Sequence, residues 1–153
     1  MTGSEYMAES IMLDKAKDFA VEIINMCKQI KETKKESVLT NQLMRSGTSI
    51  GANIHESKYA HGTADFISKM QIALKECYES EYWLELLNRT GYIDDEQYKL
   101  IINNCGQIRR MLISSINTVK GKTQWWGDYD EEKYRKDSYF NPMDFVNIFF
   151  VLC

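Results

Sequence analysis

Residues 13–30 read LDKAKDFAVEIINMCKQI, and the spacing of their apolar side chains decides the fold class. Steps of three and four residues separate these side chains, which are Leu13, Ala16, Ala20, Ile23, Cys27 and Ile30. Because an α-helix has about 3.6 residues per turn, this spacing places them on one face of a helix. We predict a helix from about residue 8 to about residue 34 that buries this face in a core.

Three later segments repeat this periodicity and predict helices at about 38–60, 64–89 and 95–120. Ser37 and Thr63 are the predicted N-caps of the second and third helices, and Asp94 with Gln97 forms a capping box for the fourth. Short connections of about two to five residues favour antiparallel neighbours, so we predict an all-α, antiparallel up-down-up-down four-helix bundle. The predicted core stripes are Leu39, Leu43, Gly47, Ile50 and Ile54; Phe66, Met70, Ala73, Cys77 and Leu84; and Ile101, Cys105, Ile108, Leu112, Ile116 and Val119.

The end of the chain has a different composition. Pro142 is the only proline, and nine of the 18 aromatic residues lie in residues 123–153, beside an acid-rich stretch at 128–137. We therefore divide the chain into a four-helix bundle, residues 1–122, and an aromatic and acidic tail, residues 123–153. Asn141 and Pro142 form a good helix start, which predicts a short helix in the tail. So apolar an end either docks on the bundle or a neighbouring subunit, or is disordered.

The charge balance argues against a protein coated with basic residues for binding nucleic acid. The formal net charge is −3, from 19 Lys and Arg against 22 Asp and Glu, although residues 11–122 carry 16 basic and 14 acidic side chains. Local basic patches are therefore the candidates for nucleic-acid binding, namely Arg109, Arg110, Lys120 and Lys122, with Lys31, Lys34 and Lys35 ending the first helix. The alternative for the lysines at helix C-termini is that they stabilise the helix macrodipole without any partner.

The cysteines and the hydropathy pattern indicate a cytoplasmic protein. Cys27, Cys77 and Cys105 occupy apolar helical positions, and no two of the four cysteines have C-x-x-C spacing, so we predict reduced core thiols. The N-terminus lacks the pattern of a signal peptide, and the longest apolar run, FFVLC, is too short to span a bilayer. We expect no association with a membrane.

The second and third predicted helices each carry a second face. On the second helix this face holds Arg45, Ser49, Ala52 and Glu56, where small residues stand at positions that an exposed helix usually fills with Lys, Glu or Gln. On the third helix it holds Ile72, Glu76, Glu79, Trp83 and Leu86, more apolar surface than a monomer normally exposes. We predict that these nine residues form the interface of a homo-oligomer, where Arg45 meets Glu76 or Glu79. The alternative is that the tail of the same chain covers them.

Gly47 and Gly51 lie four residues apart inside the second predicted helix. Each glycine in a helix costs about 1 kcal/mol relative to alanine, so we predict that a close approach of another backbone offsets this cost.

The sequence lacks the common catalytic and metal-binding patterns. Residues 47–53, GTSIGAN, lack the Lys-Ser/Thr pair of a phosphate-binding loop, and no Glu-x-x-His motif of a di-iron bundle occurs. His55 and His61 are too far apart on a helix to share a metal, and the spacing from Arg45 to His55 does not fit the Arg-His motif of helical ribonucleases. We therefore predict a non-enzymatic protein without a metal, a cofactor or a small-molecule substrate.

The segments QLMRSGTSIGANIHESKYA, residues 42–60, and DFISKMQIALKECYESEYWLELL, residues 65–87, resemble the bacterial four-helix-bundle proteins named for intervening sequences in 23S ribosomal RNA genes. The matching positions are Gln42, Leu43, Arg45, Ser46, Ser49, Ile50, Asn53, Ile54, Glu56, Ile72, Ala73, Glu79 and Glu81. A looser resemblance extends over about residues 11–120 and does not include the tail. Relatives of this family include the accessory variability protein of diversity-generating retroelements, a homopentameric barrel with a basic surface that works with a reverse transcriptase and RNA.

The resemblance implies a four-helix bundle that assembles into a homopentameric ring. It also implies a non-enzymatic accessory or adaptor protein that engages RNA or a nucleic-acid enzyme such as a reverse transcriptase. The alternative function is a purely protein-binding scaffold with the aromatic tail as its docking element.

Overall fold

A computed structural model describes residues 3–121 of the chain, and their side chains from residue 10 onward. These residues form four α-helices: α1 spans Gly3–Lys34, α2 Val38–Ser57, α3 Thr63–Arg89 and α4 Asp95–Gly121. No β-strand occurs within this part of the chain, so the all-α prediction is confirmed. α1 begins earlier and α2 ends earlier than predicted, whereas α3 and α4 lie close to their predicted positions. The predicted tail, with its helix after Asn141, lies outside the described residues.

The four helices surround one apolar core. Close approaches of the backbone join α1 to α2, α2 to α3, α3 to α4 and α4 to α1, so the helices follow one another around the core in sequence order. The predicted stripes supply most of the buried side chains, including Ile23, Leu43, Leu84 and Leu112, which have almost no exposed surface. The stripes therefore fix how each helix is rotated about its axis.

A few predicted core positions are only partly buried. Ala20 is half-buried, and the neighbouring Phe19 is the α1 residue that fills the core at this level. A phenylalanine buries far more apolar surface than an alanine, so the α1 stripe turns toward Phe19. Leu39 and Phe66 are also half-buried and pack against the edge of the core, and Val119 is half-buried near the end of α4.

The start of α2 differs from the prediction. Ser37 occupies the N-cap position, but its side chain makes no capping hydrogen bond. The Glu36 carboxylate instead accepts hydrogen bonds from the backbone N–H groups of Leu39, at 2.7 Å, and Thr40, at 3.0 Å. Burial raises the pKa of Glu36, but these hydrogen bonds, together with those from the Thr40 side chain and the Val38 backbone, lower it to below the usual value of 4.5. A charged carboxylate at a helix N-terminus also favours the helix macrodipole.

The other two predicted caps had different outcomes. Thr63 is the first residue of α3 and not its cap, because Gly62 occupies the N-cap position. Near the start of this helix, the Asp65 carboxylate accepts a hydrogen bond from the backbone N–H of His61 at 3.1 Å. At α4 the predicted cap is present, since Asp94 Oδ1 accepts a hydrogen bond from the backbone N–H of Gln97 at 2.8 Å.

The two glycines of α2 face α1. A Cβ atom added to Gly47 would lie 3.1 Å from Cγ2 of Ile23, which is closer than ordinary van der Waals contact. A Cβ atom added to Gly51 would lie 3.7 Å from Cβ of Ala16, at an ordinary contact distance. A methyl group at Gly47 therefore requires Ile23 to shift by a few tenths of an ångström, whereas Gly51 has room for one methyl group.

We expect Gly51→Ala to raise the free energy of unfolding by about 0.5–1 kcal/mol, because alanine is the better helix former and its methyl group fits. Gly47→Ala has the same advantage in helix propensity but forces Ile23 to move. It should therefore be less stable than Gly51→Ala by about 1 kcal/mol. Urea unfolding of both variants at one protein concentration measures the difference, and equal stabilities would contradict a close approach at Gly47.

Candidate functional site

The nine residues of the predicted subunit interface lie on α2 and α3, and we refer to them as the α2/α3 face. The Arg45 guanidinium forms an ion pair with Glu79 Oε1, and its Nη1 lies 3.9 Å from Glu76 Oε2. The Trp83 indole N–H donates a hydrogen bond to the same Glu79 oxygen at 3.1 Å. Arg45 thus meets both predicted carboxylates within its own chain.

Glu76 is the most unusual residue of the α2/α3 face. Its Oε2 atom is buried and has no hydrogen-bond partner among the described residues, since Arg45 Nη1 is too far away to donate one. Burial raises the pKa of Glu76, the negative charge of Glu79 raises it further, and Arg45 lowers it in part. A buried carboxylate oxygen without a hydrogen-bond donor is costly, and the Arg45 charge 3.9 Å away offsets only part of this cost.

The apolar part of the α2/α3 face is less exposed than predicted. Trp83 is half-buried and packs against the core, and Leu86 is half-buried as well. Ile72 is 39% exposed, and Ala52 is also exposed. Glu56, at one end of the face, pairs with Lys69 at 2.5 Å. The face therefore combines a paired polar centre with a small exposed apolar area around Ile72.

Beneath this face, a buried hydrogen bond sets the distance between α2 and α3. Ser80 Oγ donates to Ser46 Oγ at 2.9 Å, and both residues are buried. Serine is small enough to let two helices approach closely while its hydroxyl still finds a partner. The sequence analysis did not predict this pair. Small residues next to the core stripes of α2 and α3 could have indicated that the two helices approach closely here.

Arg109, the first predicted nucleic-acid contact, is already engaged within the chain. Its Nε donates to Glu81 Oε1 at 3.0 Å, and its guanidinium lies 5.6 Å from the centre of the Tyr78 ring. Burial raises the pKa of Glu81, and Arg109 lowers it in part. Burial lowers the pKa of the Arg109 guanidinium, but the charges of Glu81 and Tyr78 and the hydrogen bonds to both together raise it above its usual value. Arg109 therefore ties α4 to α3 through a partly buried ion pair.

The other predicted basic residues lie in different surroundings. Arg110 is exposed on α4, next to Arg109 but on another side of the helix. Lys120 is half-buried near the end of α4, and burial lowers its pKa. Lys122 lies outside the described residues. Arg109, Arg110 and Lys120 are thus on one helix without forming a single basic surface.

Two lysines at the end of α1 also have structural partners. Lys34 Nζ donates to the backbone carbonyls of Gly91, at 2.8 Å, and Tyr92, at 3.0 Å. Lys31 Nζ donates to Asn41 Oδ1 at 2.6 Å. These contacts join the end of α1 to the α3–α4 turn and to the first turns of α2, as expected for residues with a structural role.

The three described cysteines are buried free thiols. Burial raises the pKa of Cys27 to about 11. The pKa of Cys105 is also raised, mainly by a hydrogen bond with Cys77 and then by burial. Cys27 and Cys105 are therefore neutral thiols at neutral pH and poor nucleophiles. Within residues 10–121, no three His, Cys, Asp or Glu side chains are grouped so that they could hold a metal ion.

The seam between α1 and α4 contains a cleft that sequence reasoning missed. The cleft has a volume of about 200 Å³. Two hydrogen bonds cross it, from Lys15 Nζ to Gln107 Oε1 and from Asn104 Nδ2 to Glu22 Oε2, each 3.0 Å long. The residues that line it are Lys15, Asp18, Phe19, Glu22, Asn104 and Gln107. The available signal was the spacing of these polar side chains, which recur at steps of three and four on α1 and lie three residues apart on α4.

Comparisons with known proteins identify related sequences and a related structure. A sequence model of the family described as 23S rRNA-intervening sequence protein matches residues 8–114. The chain is 51% identical to a protein with unknown function from the S23 ribosomal protein family of Bacteroides thetaiotaomicron VPI-5482, whose crystal structure is known. That similarity covers 72% of this chain and 98% of the other, with a TM-score of 0.71. No curated protein matches the chain.

None of the described helices is long and apolar enough to cross a membrane.

We expect Arg109→Met to destabilise the fold by about 1–3 kcal/mol at neutral pH, because it leaves the Glu81 carboxylate partly buried without its cation. The pKa of Glu81 is raised in the folded chain, which means that folding favours the protonated carboxyl over the ionised one. The loss should therefore grow as the pH rises through the folded pKa and should be smaller at pH 5 than at pH 8.

Urea unfolding at the two pH values measures this loss. Arg110→Met is the matched control and should change stability by no more than about 0.5 kcal/mol. The double variant Arg109→Met with Glu81→Gln should recover part of the loss. A loss of the same size at both pH values would contradict the role of Glu81.

Proposed function

Because the chain belongs to the family of 23S rRNA-intervening sequence proteins, we propose that it is a non-enzymatic accessory or adaptor protein that acts as a homo-oligomer in the cytoplasm. The observation that carries this proposal is the α2/α3 face, where a buried carboxylate oxygen of Glu76 lacks a donor beside the exposed Ile72. A neighbouring subunit covers Ile72 and excludes water from this charged centre. Such complementary burial is typical of a subunit interface.

The proposed subunit is an antiparallel up-down-up-down bundle. In α1 and α4 the paired residues run in opposite directions, since Lys15 meets Gln107 and Glu22 meets Asn104. The same holds for α2 and α3, where Ser46 contacts Ser80 and Glu56 contacts Lys69. These contacts support antiparallel neighbours, and the short connections between the helices are consistent with them.

Five subunits is the number that we propose. It rests on the resemblance to the accessory variability protein of diversity-generating retroelements, which is a homopentameric barrel. Residues that carry the resemblance, among them Arg45, Ser49 and Glu79, lie on the α2/α3 face. We therefore propose that the shared motif is architectural and serves assembly.

The partner that we propose is RNA, or a nucleic-acid enzyme such as a reverse transcriptase. The support comes from the same resemblance and from basic residues toward the end of α4, where Arg110 is exposed. Arg109 positions the α4 backbone through Glu81, and Lys120 and Lys122 extend the basic stretch along the chain. Repeated around a ring, a small basic patch becomes a multivalent surface.

A purely protein-binding scaffold is the second candidate function, and the contacts of the basic residues favour it. Arg109 pairs with Glu81, Lys31 binds Asn41, and Lys34 binds the α3–α4 turn. These side chains stabilise the fold and leave Arg110 as the exposed arginine of the predicted patch. In this case the assembled ring binds proteins and no nucleic acid.

Light scattering coupled to size exclusion tests self-association. We expect the wild-type chain to have about five times the mass of one 17.9 kDa chain. Ile72→Glu should reduce the mass to that of one chain, because it places a charge in the apolar part of the interface. Val38→Glu, at an exposed position in the first turn of α2, is the matched control and should keep the wild-type mass. A monomeric wild type at micromolar concentration would overturn the proposed oligomer.

Filter binding of single-stranded RNA across a salt series separates the two candidate functions. We expect measurable affinity at low salt, and Arg110→Glu should weaken it. The slope of the logarithm of the binding constant against the logarithm of the salt concentration should become shallower by about 0.7 for each phosphate that is no longer bound. Lys75→Glu makes the same charge change at an exposed position of α3 and should bind like the wild type. If no RNA or DNA binds at low salt, with or without a reverse transcriptase, the scaffold function stands instead.

A further inference from the structure

Two buried cysteines meet where α3 packs against α4. Cys77 is on α3 and Cys105 is on α4, 28 residues further along the chain, and neither has exposed surface. Both are free thiols. The Cys105 thiol donates a hydrogen bond to the backbone carbonyl of Cys77, with 3.6 Å between Sγ and the oxygen. The Cys105 side chain therefore reaches across the helix contact to the backbone of Cys77.

The two thiols also contact each other. A hydrogen bond with the Cys77 side chain is the largest cause of the raised pKa of Cys105, ahead of burial. A disulfide requires the two sulfurs to lie about 2.05 Å apart. Rotation about the Cα–Cβ bonds moves each sulfur between staggered positions, so a change of rotamer and a small backbone shift bring sulfurs in contact to this distance.

The third described thiol is separate from this pair. Cys27 is on α1, where Lys31 and Glu36 are the charged groups that act on it. Within the described bundle each helix approaches its neighbours in sequence order, and α1 does not approach α3 closely. The fold therefore brings Cys77 and Cys105 together and keeps Cys27 on another helix as an internal control.

We infer that Cys77 and Cys105 form a reversible oxidation site, at which hydrogen peroxide converts the two thiols into a disulfide between α3 and α4. This inference depends neither on the proposed oligomer nor on RNA binding. Hydrogen peroxide fits the site because it is small and uncharged, whereas oxidised glutathione is too large to reach a sulfur in the closed core. Disulfides in cytosolic proteins are usually transient and catalytic or redox-sensing, which fits a reversible site.

The oxidation consists of two balanced steps. One thiol loses its proton, its sulfur attacks a peroxide oxygen, and the O–O bond breaks to give a sulfenic acid and hydroxide, which takes up the proton as water. The second sulfur then attacks the sulfenic sulfur, so that the S–S bond forms, the S–O bond breaks, and a second water leaves with the second thiol proton. Two thiols and one peroxide thus give one disulfide and two waters. The raised pKa of Cys105 makes the reaction slow at neutral pH.

The disulfide would hold the two helices together. It joins residues 28 positions apart and encloses the α3–α4 turn. Such a closed loop restricts the unfolded chain, and we expect Tm to rise by about 10 °C. The bond also prevents α3, which carries Glu76 and Glu79, from separating from α4, which carries Arg110.

Thiol counting on the folded, full-length chain tests the site. The parent chain carries Cys153→Ser, which removes the cysteine outside the described residues and leaves three thiols. The parent and its variants Cys105→Ala and Cys27→Ala are treated with hydrogen peroxide at about pH 8.5, near the ordinary pKa of a thiol. They are then unfolded, alkylated and digested for mass spectrometry, and Tm is measured before and after dithiothreitol.

We expect the parent to lose two of its three thiols and about 2 Da, the mass of two hydrogen atoms, with a linked peptide pair that contains Cys77 and Cys105. Cys27→Ala should give the same link and the same rise in Tm, and dithiothreitol should reverse both. Cys105→Ala should form no disulfide and show no rise. Cys77→Ala makes the same test from α3 if circular dichroism shows that Cys105→Ala has lost helix content.

Three results would overturn the site. The first is a parent chain that keeps its native helix content and ends with free thiols or sulfinic acids at Cys77 and Cys105. The second is a disulfide that includes Cys27. The third is a link between Cys77 and Cys105 that forms only when the peroxide is added in urea, because the folded chain would then hold the sulfurs apart.

Discussion

The constraint on which the rest of this structure depends is that every helix buries its apolar stripe in one shared core. α1 must bury Ile23, α2 must bury Leu43 and α3 must bury Leu84. None of these helices can rotate about its axis, because rotation would expose the buried side chain to water. The rotation then decides what each helix presents at the seams. Arg45 meets Glu79 because the stripes of α2 and α3 point inward, and the same rule aligns Lys15 with Gln107.

This dependence explains how much of the fold the sequence predicts. Apolar periodicity is a property of whole turns, so it gives the four helices and most of the buried side chains correctly. It does not distinguish neighbouring apolar positions, which is why it predicts Ala20 in the core where Phe19 lies. Helix caps depend on a choice between adjacent side chains. Glu36 reaches two backbone N–H groups where the sequence predicts Ser37 as the cap, and only the local backbone geometry settles that choice.

For the candidate sites, the sequence predicts where a side chain lies on its helix but not whether it is paired or free. Spacing predicts that Arg45 meets Glu76 or Glu79 at a subunit interface, whereas the structure brings the three side chains together within one chain. Spacing does not reveal whether a charged residue is free or paired. Arg109 and Arg110 read alike as a basic pair in the sequence, yet helix geometry turns them about 100° apart. One binds Glu81 against the Tyr78 ring, and the other is exposed to solvent.

Paired charges also bear on the kind of work the fold can do. An ion pair that is partly buried holds two helices in register but has little capacity left for an outside ligand, because its donors and acceptors are already used. Glu79 serves Arg45 and Trp83 at once, and Glu81 serves Arg109. Glu76 is the exception, since its Oε2 is buried in the described part of the chain without a donor. Arg45 offsets the buried charge of Glu76 only in part, so this carboxylate is the least satisfied charged group of the α2/α3 face.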